Sequence, residues 1–587
     1  MLRNDSLSKV LYIDLSKKDY TIEDRNDLFS EYIGGTGVAT ELLFENCPKG
    51  IEPYSKESPI IFAIGAITGM FPLASKTIAM FKSPHTGNLG ESHCGGRTAI
   101  SIRMAGFGAI VITGKSDIPI YLSISEGKVA FKNASTLWGM ASIPVATKIL
   151  GDREENAGSR SIMCIGRAGE NLISYSSLTA DTFRHFGRLG LGAIFGSKNL
   201  KAIVVGGKDS IYPTDSKQYR ETYDEIFKAA TSSSLMKKYH ELGTPENIIP
   251  LNKLKGFPTK NLQRASFDEG VDKISGEHFA EEFLGRRLAC AHCPVACIHI
   301  AALREPYEDE PYFYKTKMIG YDYELIFAVG SMLGGSDPKN ILRLIDTIEA
   351  VGLDAMSSGG VLSWATEAFE KGIITEKETL DIKPVWNDYQ NYIKMIEYIV
   401  SRKNDFYKAL GLGAEHAAKT YGGEDFALTF GKNEMPGYHT GPSSHSGYIL
   451  GARHSHLDNA GYSIDQKVLI TNKLEPKDLA LKIINEEKWR QILSSLVICF
   501  FARGIYSEEI VLKALKSAGF DFTKEELLKI SEKIYNRKYE FKFREGFSLD
   551  NYRLPKRIFE VVTPTGMIDE NYMREVIKEA KKIIVES

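Results

Sequence analysis

Three cysteines, Cys290, Cys293 and Cys297, fall within eight positions near the middle of the chain, in the run Ala289-Cys-Ala-His-Cys-Pro-Val-Ala-Cys-Ile-His. The 587 residues hold only seven cysteines, so the grouping asks for a chemical reason. Thiolates at this spacing gather around one soft metal centre and leave a fourth ligand to come from elsewhere. A [4Fe–4S] cluster held by four Cys thiolates has that requirement, and such a cluster moves electrons. The competing assignment is a Cys3His zinc site using His292 or His299. Disulfides are disfavoured, because a long chain with few cysteines and no secretory signal suits a reducing compartment. Cys47, Cys94, Cys164 and Cys499 remain, and spacing alone does not choose a fourth ligand among them.

The bulk properties are those of an ordinary globular protein, with 43% hydrophobic and 25% charged residues. A net charge of −2 without blocks of one sign excludes nucleic acid as an expected partner. The opening Met-Leu-Arg-Asn-Asp-Ser lacks the apolar core of a leader. The most apolar stretch, 59–74, is interrupted by Gly65, Gly69 and Pro72. It reads as buried strand and turn, with no membrane span expected and a cytoplasmic location as the default. The length predicts three or four domains.

The elements that must position the cysteines change character near residue 208. Before it, short apolar or β-branched runs predict strands at 10–15, 59–66, 77–81, 109–113 and 202–205. Residues 121–125 and 128–132 flank Glu126-Gly127, a hairpin signal. Glycine is dense here but gives no G-x-G-x-x-G dinucleotide fingerprint after a strand. Beyond 208, helical periodicity covers 217–242, 339–351, 361–371, 404–419, 477–501, 524–536 and 570–585. Gly352 is a natural helix C-cap. Residues 432–465 are rich in Gly, His and Ser and show little periodicity. They carry His439, His445, His454 and His456, which favours function for a long irregular segment.

Several motifs occur in a telling order: Gly34-Gly-Thr-Gly-Val, Lys82-Ser-Pro-His-Thr-Gly, Gly95-Gly-Arg, Ala105-Gly-Phe-Gly-Ala-Ile-Val-Ile-Thr-Gly-Lys, Ile165-Gly-Arg-Ala-Gly-Glu-Asn-Leu, and Gly187-Arg-Leu-Gly-Leu-Gly-Ala-Ile-Phe-Gly-Ser-Lys-Asn-Leu-Lys-Ala-Ile. With the cysteine triplet and its Pro294, the chain resembles the tungsten-containing aldehyde:ferredoxin oxidoreductase family over nearly its whole length. The resemblance implies an α+β fold: an N-terminal β-rich pterin-cradling domain (1–208), a mainly α-helical domain with the cysteine triplet (209–420) and a helical C-terminal domain (421–587). It implies tungsten, or molybdenum, between two pterins, a [4Fe–4S] cluster, and Mg2+ bridging the pterin phosphates.

Residue by residue, Ser494-Ser-Leu-Val-Ile-Cys499 resembles the family's D-x-x-G-L-C motif, which makes Cys499 the fourth cluster ligand. Ser494 replaces the pterin-binding Asp, and Val497 replaces the Gly. Glu349-Ala-Val-Gly-Leu-Asp354 resembles the sister D-x-x-G-L-D motif, with Glu349 and Asp354 as acceptors for pterin N–H groups. Lys76 stands where the family has an arginine touching pterin and cluster. His93 stands near a magnesium-holding asparagine, where its backbone carbonyl would serve. Gly95 and Gly96 permit close approach of the cofactor, and Arg184 and Arg188 are candidates for phosphate pairing. Gly320-Tyr-Asp-Tyr-Glu324 resembles an E-Y-E segment and makes Glu324 the general base, with its pKa raised by burial. His456 is the expected donor to the aldehyde oxygen, with His454 as its rival and Asp458 and Asn459 placed to orient it.

The implied reaction is R–CHO + H2O → R–COOH + 2 e− + 2 H+, with ferredoxin or another electron-transfer subunit as acceptor and a homodimer as a common assembly. A second reading keeps the cofactors but makes the chain a low-potential aromatic thioester reductase subunit of the benzoyl-CoA type. A third is a zinc-stapled, non-enzymatic scaffold.

Overall fold

Two six-stranded sheets occupy the N-terminal third, in a computed structural model that describes residues 6–154, 159–307 and 310–586. The first sheet contains β1 (Lys9–Asp14), β2 (Asp19–Asp24), β3 (Ile60–Ala63), β4 (Thr77–Lys82), β5 (Leu89–Cys94) and β6 (Ala109–Thr113). Their order is β2-β1-β6-β3-β4-β5, and only β1 and β6 run parallel. The second contains β7 (Ile120–Ser125), β8 (Lys128–Asn133), β9 (Ser159–Cys164), β10 (Leu178–Ala180), β11 (Arg184–Phe186) and β12 (Leu200–Gly207). Its order is β11-β10-β9-β12-β7-β8, with β12 and β7 parallel.

β3 and β4 are buried at every position. They read as continuous apolar runs because the helix Gly35–Asn46 packs on them and Phe62 meets Phe186 and Phe195 of the second sheet's layer edge-on. The β7–β8 turn has Glu126 and Gly127 both at positive φ (50° and 77°), the two-residue geometry that matches strand twist.

Helices dominate from Ser216 onward. The expected 339–351 helix is Pro338–Val351, N-capped by Asp337 and closed by Gly352 at φ +81°. The 361–371 helix begins earlier, at Ala355, because Asp354 caps it. Residues 217–242 form two helices, Ser216–Ser232 and Ser234–Leu242, since the Ser233 side chain starts the second by accepting from the Met236 N–H. Residues 404–419 likewise divide at Gly413. The 477–501 helix stops at Ser495, where Val497 turns into the left-handed region. The 524–536 helix extends to Arg544.

Within the region read as helical, β13 (Leu284–Leu288), β14 (Ile298–Tyr307) and β15 (Glu310–Tyr321) form an antiparallel sheet. This sheet frames the cysteine triplet, which lies in the β13–β14 connection. The segment 432–465, read as irregular, contains the helices Pro442–Leu450, His456–Asn459 and Gly461–Ile464 and is largely buried.

Among the described residues two large apolar cores form, beside a small third cluster around Tyr121, Leu137, Ile143 and Leu150. One joins both N-terminal sheets to Ile492, Leu493, Ile498, Ile534 and Phe541. The other joins Phe257, Phe327, Ile345, Tyr407, Ile483 and Met573. Cys293, Cys297 and Cys499 pack on the first core, whereas Tyr321 and Tyr323, beside Glu324, belong to the second. The candidate chemistry therefore sits on the seam, where interdomain ligands are usually held. Among the described residues, no helix is long and apolar enough to cross a membrane.

Candidate active site

The segment 73–76 brings the distant cysteines together by acting as a backbone clamp. On one side the Leu73 N–H donates to the His292 carbonyl (3.1 Å). On the other the Cys499 N–H donates to the Leu73 carbonyl (2.9 Å), the Lys76 N–H donates to the Val497 carbonyl (3.0 Å), and Ala74 bridges to Ile498. A third tie runs from the Ala291 N–H to the Gly96 carbonyl (2.8 Å). His292 and Ala296, each directly before a cysteine, take φ of 54° and 51°, so the triplet loop curls twice toward one centre. Gly95 backs this loop: a Cβ there would stand 2.9 Å from Cys290 Sγ and 3.3 Å from Lys76 Nζ. That close approach is what only glycine permits.

All four cysteines line one cavity of ≈ 120 Å³, together with Lys76, Arg184, Asp322 and Glu349. Burial pushes the Cys293 and Cys297 thiols up to about 12. Among the described residues no three His, Cys, Asp or Glu side chains converge to hold a single ion. His299, named for a zinc site, has its ring nitrogens at the His240 carbonyl (3.0 Å) and the Tyr321 hydroxyl (3.3 Å). Thiols spread around a cavity suit a polynuclear cluster better than one tetrahedral ion.

Next to the cavity, Asp322 caps the helix Tyr323–Val329 by accepting from the Leu325 N–H (3.0 Å), which sets Glu324 on the first turn. The Gly437 N–H donates to Glu324 Oε2 (3.2 Å). His456 Nε2 lies 3.3 Å from Glu324 Oε1, without hydrogen-bond alignment. Burial pushes the Glu324 carboxyl up to about 8, reinforced by the Asp322 and Asp354 charges against the Gly437 N–H and Arg188. Burial pushes His456 down to about 3, aided by Arg188. Near neutrality the pair is therefore a protonated acid beside a neutral imidazole. His454 points elsewhere, to the Tyr448 carbonyl (2.9 Å) and Lys542 Nζ (3.3 Å). Asp458 fastens the loop by accepting from the Arg453 N–H (2.9 Å), the Ser455 N–H (3.0 Å) and Arg453 Nε (2.5 Å).

Sequence reasoning missed Tyr438 and Tyr462, whose rings stack at 4.3 Å and lie 5.2 and 6.1 Å from the His456 ring. It also missed the buried His85–Glu434 pair (3.0 Å), whose carboxylate is held down to about 2 by His85 despite its burial. Neither carries a spacing signal; only the fold brings them in.

Two family models match the chain: the N-terminal domain of aldehyde ferredoxin oxidoreductase over residues 10–207, and its domains 2 and 3 over residues 221–583. The chain belongs to the aldehyde ferredoxin oxidoreductase family. The tungsten-containing aldehyde ferredoxin oxidoreductase of Pyrococcus furiosus is 30% identical over 577 residues, covering 95% of this chain and 92% of that protein. The WOR-like subunit of aliphatic sulfonate oxidoreductase from the same organism is 28% identical, covering 70% and 66%. The fold is shared with the active site complex BamBC of benzoyl coenzyme A reductase, solved with 1,5 dienoyl-CoA: the TM-score is 0.80 at 21% identity, over 99% of this chain and 94% of that one. As a member of the aldehyde ferredoxin oxidoreductase family, the chain is an oxidoreductase.

Enzymes of this family generally use a bis-pterin metal and a [4Fe–4S] cluster. The residues present fit such a load. Arg184 Nε, His185 Nε2, Arg188 Nη1, Glu324 Oε1 and His456 Nδ1 are buried polar atoms without a hydrogen-bond partner among the described residues. Each such atom costs about 1–3 kcal/mol unless a ligand meets it. Burial holds Glu349 well above the usual carboxylate range and His185 down to about 4.

Other expected contacts are engaged within the protein. Asp354 accepts from Met356, Ser357 and Arg188, and Arg188 Nη2 donates to the Glu434 carbonyl (2.7 Å). His93 is held by Glu91 (2.6 Å), which also accepts from Thr36 (2.7 Å) and Lys538 (2.6 Å). Ser494 lies at the end of its helix with its carbonyl against Gly35, where a Cβ would stand 2.3 Å away. His93, Arg188, Asp354 and Ser494 are outside the lining of the cysteine cavity.

Proposed function

We propose that this enzyme oxidises aldehydes to carboxylic acids at a tungsten or molybdenum bis-pterin centre and passes the electrons through a [4Fe–4S] cluster to ferredoxin or a similar carrier. The supporting observation is the meeting of four thiols from two distant stretches in one cavity, next to the buried Glu324–His456 pair. Cys290, Cys293, Cys297 and Cys499 would hold the cluster. Lys76, Arg184 and Glu349, which share the cavity, would meet the pterins on the cluster side. Gly95 and Gly96 keep the backbone low there. Arg188, Asp354 and Ser494 would flank the pterins from the two helix ends, and the backbone at His93 would serve Mg2+.

Held by these residues, the metal centre would supply two-electron oxidation of the substrate and the cluster would supply one-electron transfer to the carrier. The protein's part is proton control. Glu324, once deprotonated, takes the proton of the attacking water. His456 Nδ1 has no partner among the described residues, so an imidazole carrying its proton there would donate to the aldehyde oxygen. Tyr323, Tyr438 and Tyr462 pack around the pair, and their rings exclude water.

The test is reduction of a low-potential dye by the metal-loaded enzyme over a panel of aldehydes. Turnover with several aldehydes supports the proposal. Reduction of an aromatic thioester, with no aldehyde turnover, would replace it by the second reading.

A further inference from the structure

A second concavity, of ≈ 350 Å³, opens on the surface beside the His456 loop. Its floor is Asn459, Ala460, Ile464 and Leu493, and its rim carries Lys467, Lys482 and Arg503. Lys467 and Lys482 are exposed, Arg503 is half-buried, and none of the three has an ion-pair partner among the described residues. The one carboxylate on the rim, Glu486, is already bound by Arg490 (2.9 Å through both Nε and Nη2). The rim therefore concentrates uncompensated positive charge over a hollow, an arrangement that focuses anions.

The hollow is close to the catalytic pair. Its floor residue Asn459 ends the one-turn helix that His456 begins. Ser463, on the wall, follows Tyr462, whose ring stacks on Tyr438 and stands 6.1 Å from His456. Tyr462 therefore adjoins both the hollow, through its chain neighbour Ser463, and the imidazole.

We propose that this basic hollow is the outer part of the substrate site and selects aldehydes bearing a carboxylate or phosphate at the far end, with the Tyr438–Tyr462 pair as the inner gate. The inference rests on the aldehyde-oxidising reading and names its substrate class. An anionic tail would pair with Lys467, Lys482 and Arg503 while the carbonyl end passes the tyrosines to His456.

The experiment uses the metal-loaded enzyme and matched pairs: butyraldehyde against succinic semialdehyde, and glyceraldehyde against its 3-phosphate. At low ionic strength the charged member of at least one pair should be favoured at least tenfold in kcat/KM. Which pair responds separates carboxylate from phosphate recognition. The Lys467→Glu/Lys482→Glu double variant should lose that preference by tenfold or more while the neutral aldehydes change less than twofold. Raising the salt should erode the preference in the wild type. A preference for the neutral members, or one untouched by charge reversal, overturns the proposal. Calorimetric titration with succinate and with inorganic phosphate reads the hollow apart from turnover. Saturable binding lost in the double variant supports the site even if no aldehyde is oxidised, an outcome that would sink only the activity; absence of binding of either anion to the wild type counts against the hollow itself.

Discussion

Replacing Glu324 by Gln removes the one titratable proton acceptor of the proposed chemistry with little change of shape. A positioned acid–base group contributes roughly 10²–10⁴-fold, so kcat should fall by about that factor. The pH dependence is the sharper test. Burial places the Glu324 carboxyl at about 8 in the folded protein. Wild-type kcat/KM should then climb about tenfold per pH unit below that value and level above it. The Gln variant should lose this limb.

A stability readout checks the same carboxyl without turnover. Its folded value lies above the ordinary 4.5, so the fold favours the protonated form. That contribution is complete below about pH 4.5 and is lost as pH rises to about 8, at up to about 1.36 kcal/mol per pH unit. Relative to the wild type, the variant should gain as the pH of the unfolding experiment is raised from 5 to 9, by an amount of order a few kcal/mol. The buried histidines work the other way: His439, His454 and His456 are held down to about 4, 3 and 3, so their contribution is lost as pH falls below about 6.5. They are common to both proteins and cancel in the difference. A Gln variant within threefold of wild-type kcat and with the same pH limb would refute the assignment.

Three further changes test the scaffold. Val497 sits at φ 55° with its side chain fully buried in the first core, so Val497→Gly exchanges about 1–3 kcal/mol of strain relief for a similar loss of apolar burial and should leave Tm nearly unchanged; a drop in Tm as large as an ordinary core truncation gives would mean that the backbone there carries no strain. Lys538→Met leaves Glu91 buried and deprived of its cation and should cost about 3–5 kcal/mol, with partial recovery in the Lys538→Met/Glu91→Gln double variant; equal losses in single and double variants would show that the pair is not the cause. Gly95→Ala drives a methyl to 2.9 Å from Cys290 Sγ and should lower iron content with little loss of far-ultraviolet circular dichroism; full iron loading would contradict the close-approach argument.

What the sequence revealed follows the physics of each element. Strands such as β6, where expected and observed limits coincide at 109–113, are dense apolar runs, and the 338–351 helix carries its own cap signals in Asp337 and Gly352. The β13–β15 sheet was hidden because its strands mix Arg, Glu and Lys with apolar residues and so lack a clean alternation. The helices of 442–464 were hidden because Gly, Ser and His residues buried on all sides leave no amphipathic stripe. In the site, the ordered motifs named the cysteines and Glu324, and the structure set Cys499 beside the triplet and His456, not His454, beside Glu324. The Asp354–Arg188 pairing was not legible, because it joins residues far apart in the chain, whereas Glu91 and His93 pair at i and i+2 on one face of β5.

The most direct measurement is metal content joined to electron paramagnetic resonance of the reduced protein, for wild type and Cys499→Ser. The wild type should hold about four iron atoms per chain with tungsten or molybdenum and show a [4Fe–4S] signal, and that signal should be lost or strongly altered in the variant. Zinc as the sole metal, or an unaltered cluster signal in Cys499→Ser, would contradict a cluster held by these four cysteines.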